Sequence, residues 1–234
     1  TYGRIRYLAD ALKGKTPRLI TIGGFPVMKG WLRVRDPHNA EHDGPVLIPG
    51  YEDHELEPPG VDAFVDRMIE TERAVLGGHS AGHYQATHFR YPYVYGPHSI
   101  TTSEWMVMKR VLDSRKRFII QGGGLSLSTR CASVNVGHAI GLAIDDVETS
   151  GGQIYHLADD NQFTQQQWVE LIAGIMDYEF DFVEIPWSIA PPGRTYVPFQ
   201  SQRFHRLMSN SKLKAELGYK DVIAPQEWVR TTVE

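Results

Sequence analysis

Cysteine is almost absent. Cys131 is the single one among 234 residues, which excludes an internal disulfide and suits a reducing, cytoplasmic setting. No run approaches ~20 uninterrupted apolar residues, so a membrane-spanning helix is not expected. Neither sign of charge is in marked excess: 24 Lys and Arg stand against 28 Asp and Glu, a formal net charge of −4. That balance argues against nucleic-acid binding through a broadly basic surface. Thr1 comes first where an initiator Met would stand, and no charged-then-apolar segment of the secretory type opens the sequence. Repeats and low-complexity tracts are also missing. One further absence is chemical. No Gly-x-Gly-x-x-Gly follows an early strand, so the sequence carries no glycine fingerprint of its own for gripping a dinucleotide.

What is present is a folded-protein composition, 41% apolar and 11% aromatic, enough for one core with a small appended lobe. Tyr2 to Leu12 reads as a short helix ending near Gly14. Arg18-Leu-Ile-Thr-Ile22, bracketed by Thr16-Pro17 and Gly23-Gly24, has the length and β-branching of a buried strand. Phe25 to Gly60 is rich in Gly, Pro and charge without a period, which predicts a functional loop or short hidden strands. Val61 to Leu76 gathers Ala63, Phe64, Met68, Ile69, Val75 and Leu76 near one helical face, with Gly77-Gly78 as its cap. Gln85 to Tyr95 is predicted as one strand stopped by Gly96-Pro97. Helices are expected over Ser103–Ser114, over Val134–Ile144, from the cap Thr164 to Met176 and, as the last, over Ser211–Leu217. Strands are expected over Phe118–Ile120, Gln153–Leu157 and Phe180–Ile185, and a loop at Pro191-Pro192-Gly193. Strands alternating with helices imply an α/β fold on a parallel sheet.

Several short motifs compete for a function. Gly78-His-Ser-Ala-Gly82 fits the nucleophile elbow of an α/β-hydrolase with Ser80 as nucleophile, but a strand must precede it and a helix follow. Gln85 begins a strand too soon for that helix. His79, His83 and His88 are close in sequence, yet Gly82 interrupts any shared helical face and no carboxylate set accompanies them, so no metal site is expected. Gly122-Gly123-Gly124 lacks the Lys-Ser/Thr of a phosphate loop and reads as a turn. Lys109, Arg110, Arg115, Lys116 and Arg117 form a basic cluster whose default is a solvated face. It keeps open a non-catalytic alternative that binds RNA or a protein partner.

Longer segments agree with one another. Arg90-Tyr-Pro-Tyr-Val-Tyr-Gly-Pro97, Asn135-Val-Gly-His-Ala-Ile140, Gly152-Gln-Ile-Tyr-His-Leu157 with Thr164 and Trp168, and Ser211-Lys212 followed by Leu217-Gly218-Tyr219 stand in order along the chain. Together with Leu19–Gly24 and Met68–Leu76 they resemble the extended short-chain dehydrogenase/reductases of the NAD-dependent epimerase/dehydratase type. The resemblance implies the C-terminal strands of a Rossmann-type parallel sheet with a small α/β substrate-binding lobe. Residues 1–92 would be the remaining part of the NAD(P)-binding domain and 93–234 mostly the lobe, with returning Rossmann segments near 131–158. It also implies that about three βα crossovers, of roughly 30 residues each, belong upstream. Thr1 is then not the native start, and an omitted N-terminal segment or a partner chain supplies the front of the fold.

The resemblance further implies NAD or NADP, a small polar or nucleotide-linked substrate, oxidoreductase, epimerase or dehydratase chemistry, and room for a homodimer. Such enzymes use Ser or Thr at a strand end and Tyr-x-x-x-Lys on the next helix, where the Lys cation lowers the phenol's pKa. Aligning Glu72 with the family's Glu puts Phe64 and Met68 at the Tyr and Lys positions, and Gly23 or Gly24 at the Ser position. No Tyr in the sequence has Lys four residues later. A substitute acid or base is therefore expected among Tyr51, His54, Tyr91, Tyr93, Tyr95 and His98, with Tyr93, His98 and Tyr51 foremost. By the same resemblance Gly23, Gly24, Tyr91 and Pro92 would face the cofactor, and Tyr93, His98, Arg115 and Arg194 the substrate.

Overall fold

The computed structural model describes residues 2–31, 47–99, 103–186 and 204–234. β1 (Arg18–Gly24) runs parallel to β2 (Gln85–Tyr91), with Thr21 opposite His88 and Gly24 opposite Tyr91. β2 in turn runs parallel to β6 (Gln153–His156), giving the order β1-β2-β6. β3 (Tyr93–Tyr95) pairs in parallel with β5 (Arg130–Ala132), and β4 (Arg117–Gln121) with β7 (Asp181–Ile185). Parallel neighbours need crossovers, and helices supply them, which is the α/β arrangement that strand–helix alternation implies.

Strand periodicity sorts the two faces of the first sheet. Ile20, Ile22, Phe89 and Tyr155 point to one side, where α4 (Ser133–Asp145) and α7 (Ser211–Leu217) bring Ala139, Ala143, Leu213 and Leu217. Leu19 and Ala86 point to the other side and pack with Ala9 of α1 (Tyr2–Ala11) and Val75 of α2 (Ala63–Ser80). Another core forms where α3 (Ser103–Leu112), α6 (Gln165–Ile175) and α8 (Pro225–Val233) close over β4, with Trp168 and Phe118 fully buried. Asp159 joins the regions: it accepts from Tyr95 Oη at 2.7 Å, Asn135 Nδ2 at 2.7 Å and the Ala132 amide at 3.0 Å. None of the described helices is long and apolar enough to cross a membrane.

Local chemistry explains most boundaries. Asp62 opens α2 by accepting from the amides of Phe64 and Val65, and Thr164 with Gln167 forms a reciprocal capping box on α6. Several expectations need correction. The segment Gln85–Tyr95 is two strands, because Pro92 has no N–H for the ladder and the chain changes sheet there. α2 does not stop at Leu76; it continues through Gly77-Gly78 to Ser80. Gly78 serves packing there, since a Cβ would collide with the Tyr84 hydroxyl. Ser211–Leu217 is not the last helix, for α8 follows with Pro225 in its first turn, where a missing N–H costs nothing. The short β5 and α5 (Val147–Ser150) had no expectation attached.

Beneath α2 the sheet carries a buried ion pair. Glu72 receives Arg90 through both carboxylate oxygens, at 2.9 and 2.8 Å, with both side chains nearly inaccessible. Breaking a buried pair strands its partner's charge, at about 3–5 kcal/mol. Glu72→Ala is therefore expected to lower the urea midpoint by an amount equivalent to ~3 kcal/mol or more, whereas Glu72→Leu with Arg90→Met recovers most of it. A Glu72→Ala loss below ~1 kcal/mol would show the pair is not desolvated.

Candidate functional site

β1 ends in Gly23-Gly24 and β2 ends at Tyr91-Pro92, so two parallel strands stop side by side. Beyond their carboxyl ends lies a cavity of about 710 Å³, the usual place for ligands on open parallel sheets. α2 runs beside it and turns Phe64 and Met68, one helical turn apart, toward the opening. Phe25 and Trp31 supply aromatic wall, and β3 with the following turn brings Tyr93 and His98. Phe25 meets Trp31 and Tyr93 edge-on, at 5.6 and 5.4 Å between ring centroids.

Gly24, Phe64, Met68, Tyr91, Pro92, Tyr93 and His98, each singled out from the sequence, line this one cavity. Gly23 is one residue deeper; a Cβ there would come within 2.5 Å of the His88 ring. Tyr95 also reaches the cavity wall, but burial and the Asp159 carboxylate push its phenol far above the ordinary range. It is a fixed donor. His98 is exposed at the rim with φ 62°, a left-handed conformation that costs a non-glycine residue roughly 1 kcal/mol or more.

Other expected residues lie elsewhere. Tyr51 is exposed and borders a separate hollow of about 750 Å³ with Glu52 and Lys212. Arg115 is exposed after α3, its Nε 3.5 Å from Asp113. Arg194 lies outside the described residues. Arg206, which sequence spacing gave no reason to choose, lines the cavity with its Nη1 3.5 Å from Tyr93 Oη. It arrives through a parallel bridge between Ser128 and Arg206, a long-range pairing with no local signal.

The competing motifs resolve on geometry. Ser80 ends a helix and a turn through Gly82 then enters β2, the reverse of the strand–turn–helix order a nucleophile elbow needs. Among the described residues no group of three or more His, Cys, Asp or Glu is placed to hold a metal. His79 Nδ1 instead accepts from the Ala86 amide at 3.4 Å. Gly122-Gly123-Gly124 is a tight turn with φ of 53, 63 and 63°. In the basic cluster Lys109 pairs with Asp113, Arg110 covers the Phe118 ring and Lys116 the Tyr178 ring.

No family model matches the sequence and no curated protein matches it. Solved structures do match in shape. UDP-glucuronic acid 4-epimerase from Bacillus cereus, solved with UDP-glucuronic acid and NAD, superposes with a TM-score of 0.71 at 16% identity over 98% of this chain. UDP-glucose 4-epimerase from Thermotoga maritima gives 0.70 at 17% identity over 94% of it. A dTDP-glucose 4,6-dehydratase from Streptomyces venezuelae, with NAD bound, gives 0.68 at 14% over 98%. The chain has the epimerase/dehydratase form of the Rossmann fold. It spans 64%, 63% and 63% of the length of those three chains. In this epimerase/dehydratase-like fold the cavity occupies the carboxyl ends of the sheet, and none of its described walls is a Tyr–Lys pair.

The floor beneath is held by neutral imidazoles. His88 Nδ1 shares a hydrogen bond with Thr21 Oγ1 at 2.8 Å, and His156 Nε2 lies 3.3 Å from Arg90 Nη1. Burial is the main cause that pushes His88 down to about 4 and His156 down to about 3, and Arg90 adds to both shifts. The unfolded chain therefore binds more protons between the ordinary imidazole value near 6.5 and these folded values. Stability falls as pH drops through that window, by ~3 kcal/mol for His88 alone. Urea midpoints are expected to hold level from pH 7.5 to about 6.5 and to decline from there to 4.5, and His88→Gln to flatten part of that slope. A level profile would show that the rings are not buried in their neutral form.

Proposed function

We propose that this chain forms the substrate-facing part of an NAD(P)-linked epimerase, dehydratase or oxidoreductase acting on a nucleotide-linked substrate, with the usual Ser-Tyr-Lys relay replaced. The observation that carries the reading is the cavity itself. Residues as far apart as Gly24, Phe64, Tyr93 and Arg206 meet at the carboxyl ends of β1 and β2, in a fold shared with nucleotide-sugar epimerases and dehydratases solved with NAD. The apolar walls given by Gly24, Met68, Tyr91 and Pro92 fit the nicotinamide end of a dinucleotide. The described residues offer no glycine-rich phosphate cradle, so the pyrophosphate and adenosine need elements beyond them. β1 pairs with β2 on one side and with no other described strand, which leaves an edge where such elements join.

When bound, a nicotinamide supplies hydride acceptance and return. This chain's part is to orient the substrate and move a proton. Gly24, Phe64 and Met68 carry no group able to do the latter. Tyr93 does: it lines the cavity, and the Arg206 guanidinium, 3.5 Å from its hydroxyl oxygen, holds the phenol where it can exchange a proton with a substrate oxygen. His98 at the rim is a further proton carrier within the lining.

The test uses the protein as it occurs in the cell. Acid-denatured protein is expected to release nicotinamide nucleotide, detected by enzymatic cycling. Tyr93→Phe is expected to keep that nucleotide and lose ~10²-fold or more in turnover of a nucleotide sugar. Absence of released nucleotide would refute cofactor binding; full turnover by Tyr93→Phe would refute its role.

A further inference from the structure

We infer that Ser133, held by Trp228, is a substrate-contacting hydrogen-bond donor, and that the cavity selects a ligand presenting an acceptor oxygen on an apolar frame; this rests on the reading of the cavity as a substrate site. β5 ends at Ala132 opposite Tyr95, so Ser133 opens α4 beside Gly96, and both residues line the cavity. From α8, Trp228 Nε1 donates to Ser133 Oγ at 3.2 Å. Gly96, with φ 140°, makes room for the pair: a Cβ there would collide with the indole nitrogen and with the hydroxyl.

An indole N–H only donates, so Trp228 occupies one acceptor site of Ser133 and orients its hydroxyl. The hydroxyl proton meets no acceptor among the described residues. It is left for a ligand. Tyr93 precedes Gly96 by three residues, about 10 Å of extended chain. Ser133 therefore reads a part of the substrate away from the oxygen that Tyr93 serves.

The rest of the wall offers few side-chain acceptors. No described lining residue is Asp, Glu, Asn, Gln or Lys. Tyr93 Oη already receives Arg206 Nη1 at 3.5 Å, and Tyr95 gives its proton to Asp159 at 2.7 Å. The buried indole N–H of Trp31, another lining residue, finds no acceptor among the described residues. A wall that leaves its own donor unmatched has none to spare for ligand hydroxyls. Each hydroxyl enclosed without an acceptor costs about fivefold or more in affinity. A carbonyl or ether oxygen only accepts, and the carbon around it meets Phe25, Phe64 and Met68. A deoxygenated sugar and an aryl ketone share this chemistry.

Ligand titrations of the protein as it occurs in the cell, read by calorimetry, test this with acetophenone, 1-phenylethanol and ethylbenzene. These present an acceptor, a hydroxyl and no oxygen on one frame. Acetophenone is expected to bind about fivefold or more tightly than the alcohol. Ser133→Ala is expected to weaken acetophenone by a similar factor and leave ethylbenzene unchanged. Trp228→Phe is expected to strengthen the alcohol relative to the ketone, because Ser133 Oγ regains an acceptor site. A purely structural role for either residue would move all three ligands together and overturns the inference. dTDP-glucose and dTDP-6-deoxyglucose form the second arm, with the deoxy sugar expected to bind more tightly and to weaken in Ser133→Ala. Ser133-dependent acetophenone binding with no binding of either nucleotide sugar sustains the inference but removes the nucleotide-linked reading. Equal binding of both nucleotide sugars, untouched by Ser133→Ala, overturns the inference and leaves that reading standing. Binding of none of these ligands overturns it too. Circular dichroism checks that Ser133→Ala is folded, and if it is not, the ketone-to-alcohol ratio in Trp228→Phe alone decides.

Discussion

The buried pair of Glu72 and Arg90 is the contact on which the arrangement turns. Glu72 comes from the helix that walls the cavity, and Arg90 from the strand whose end forms its floor. Two charges taken out of water demand good geometry and full hydrogen bonding. Arg90 answers with a further bond to the Glu52 carbonyl at 3.0 Å and a contact to His156, and His88 approaches Glu72 at 3.5 Å. Helix, central strand, edge strand and the loop around Glu52 are thereby locked in one register. Phe64 and Met68 face the cavity because Glu72, two turns further along α2, cannot slide.

The same loop closes the sheet at β6. Glu52 accepts the His156 amide at 2.8 Å, and Lys212 donates to the Ile154 carbonyl at 3.1 Å. Side-chain charges take the place of another strand there, a recognised way of blunting a sheet edge. Burial raises the Glu52 carboxyl above its ordinary range, with the His156 amide opposing that shift. The hollow beside Tyr51 belongs to this seal. Tyr51 stands at the flank of the sheet, away from the strand ends where Tyr93 and His98 lie.

Much of the fold was legible where local signals and packing agree. The run Arg18–Ile22 is β-branched and bracketed by turn residues, and it forms β1. Thr164 reads as a cap and makes a full capping box. Legibility failed where the local signal pointed one way and a distant contact another. Gly77-Gly78 looks like a helix end, yet α2 passes through because Tyr84 packs against the bare face of Gly78. Gln85–Tyr95 looks continuous, yet Pro92 hands the chain from β2 to β3. Arg206 could not be found at all, because its place depends on pairing with Ser128 across the chain.

The sequence alone determined most of the element types, the parallel α/β class and the absence of a Tyr–Lys pair, because these depend on residue identity and on spacings of a few positions. Which of the many tyrosines, histidines and arginines share a cavity was decided by tertiary structure. Tyr51 and Tyr93 are alike as side chains; the segment Arg90–Pro97 marks Tyr93 as near a strand end, but neither neighbourhood says which residues from elsewhere each will meet. The end of β2 and the bridge to Arg206 place Tyr93 beside a buried cation, while the seal at Glu52 leaves Tyr51 facing solvent. Proximity between distant residues is set by packing, and only the folded chain contains it.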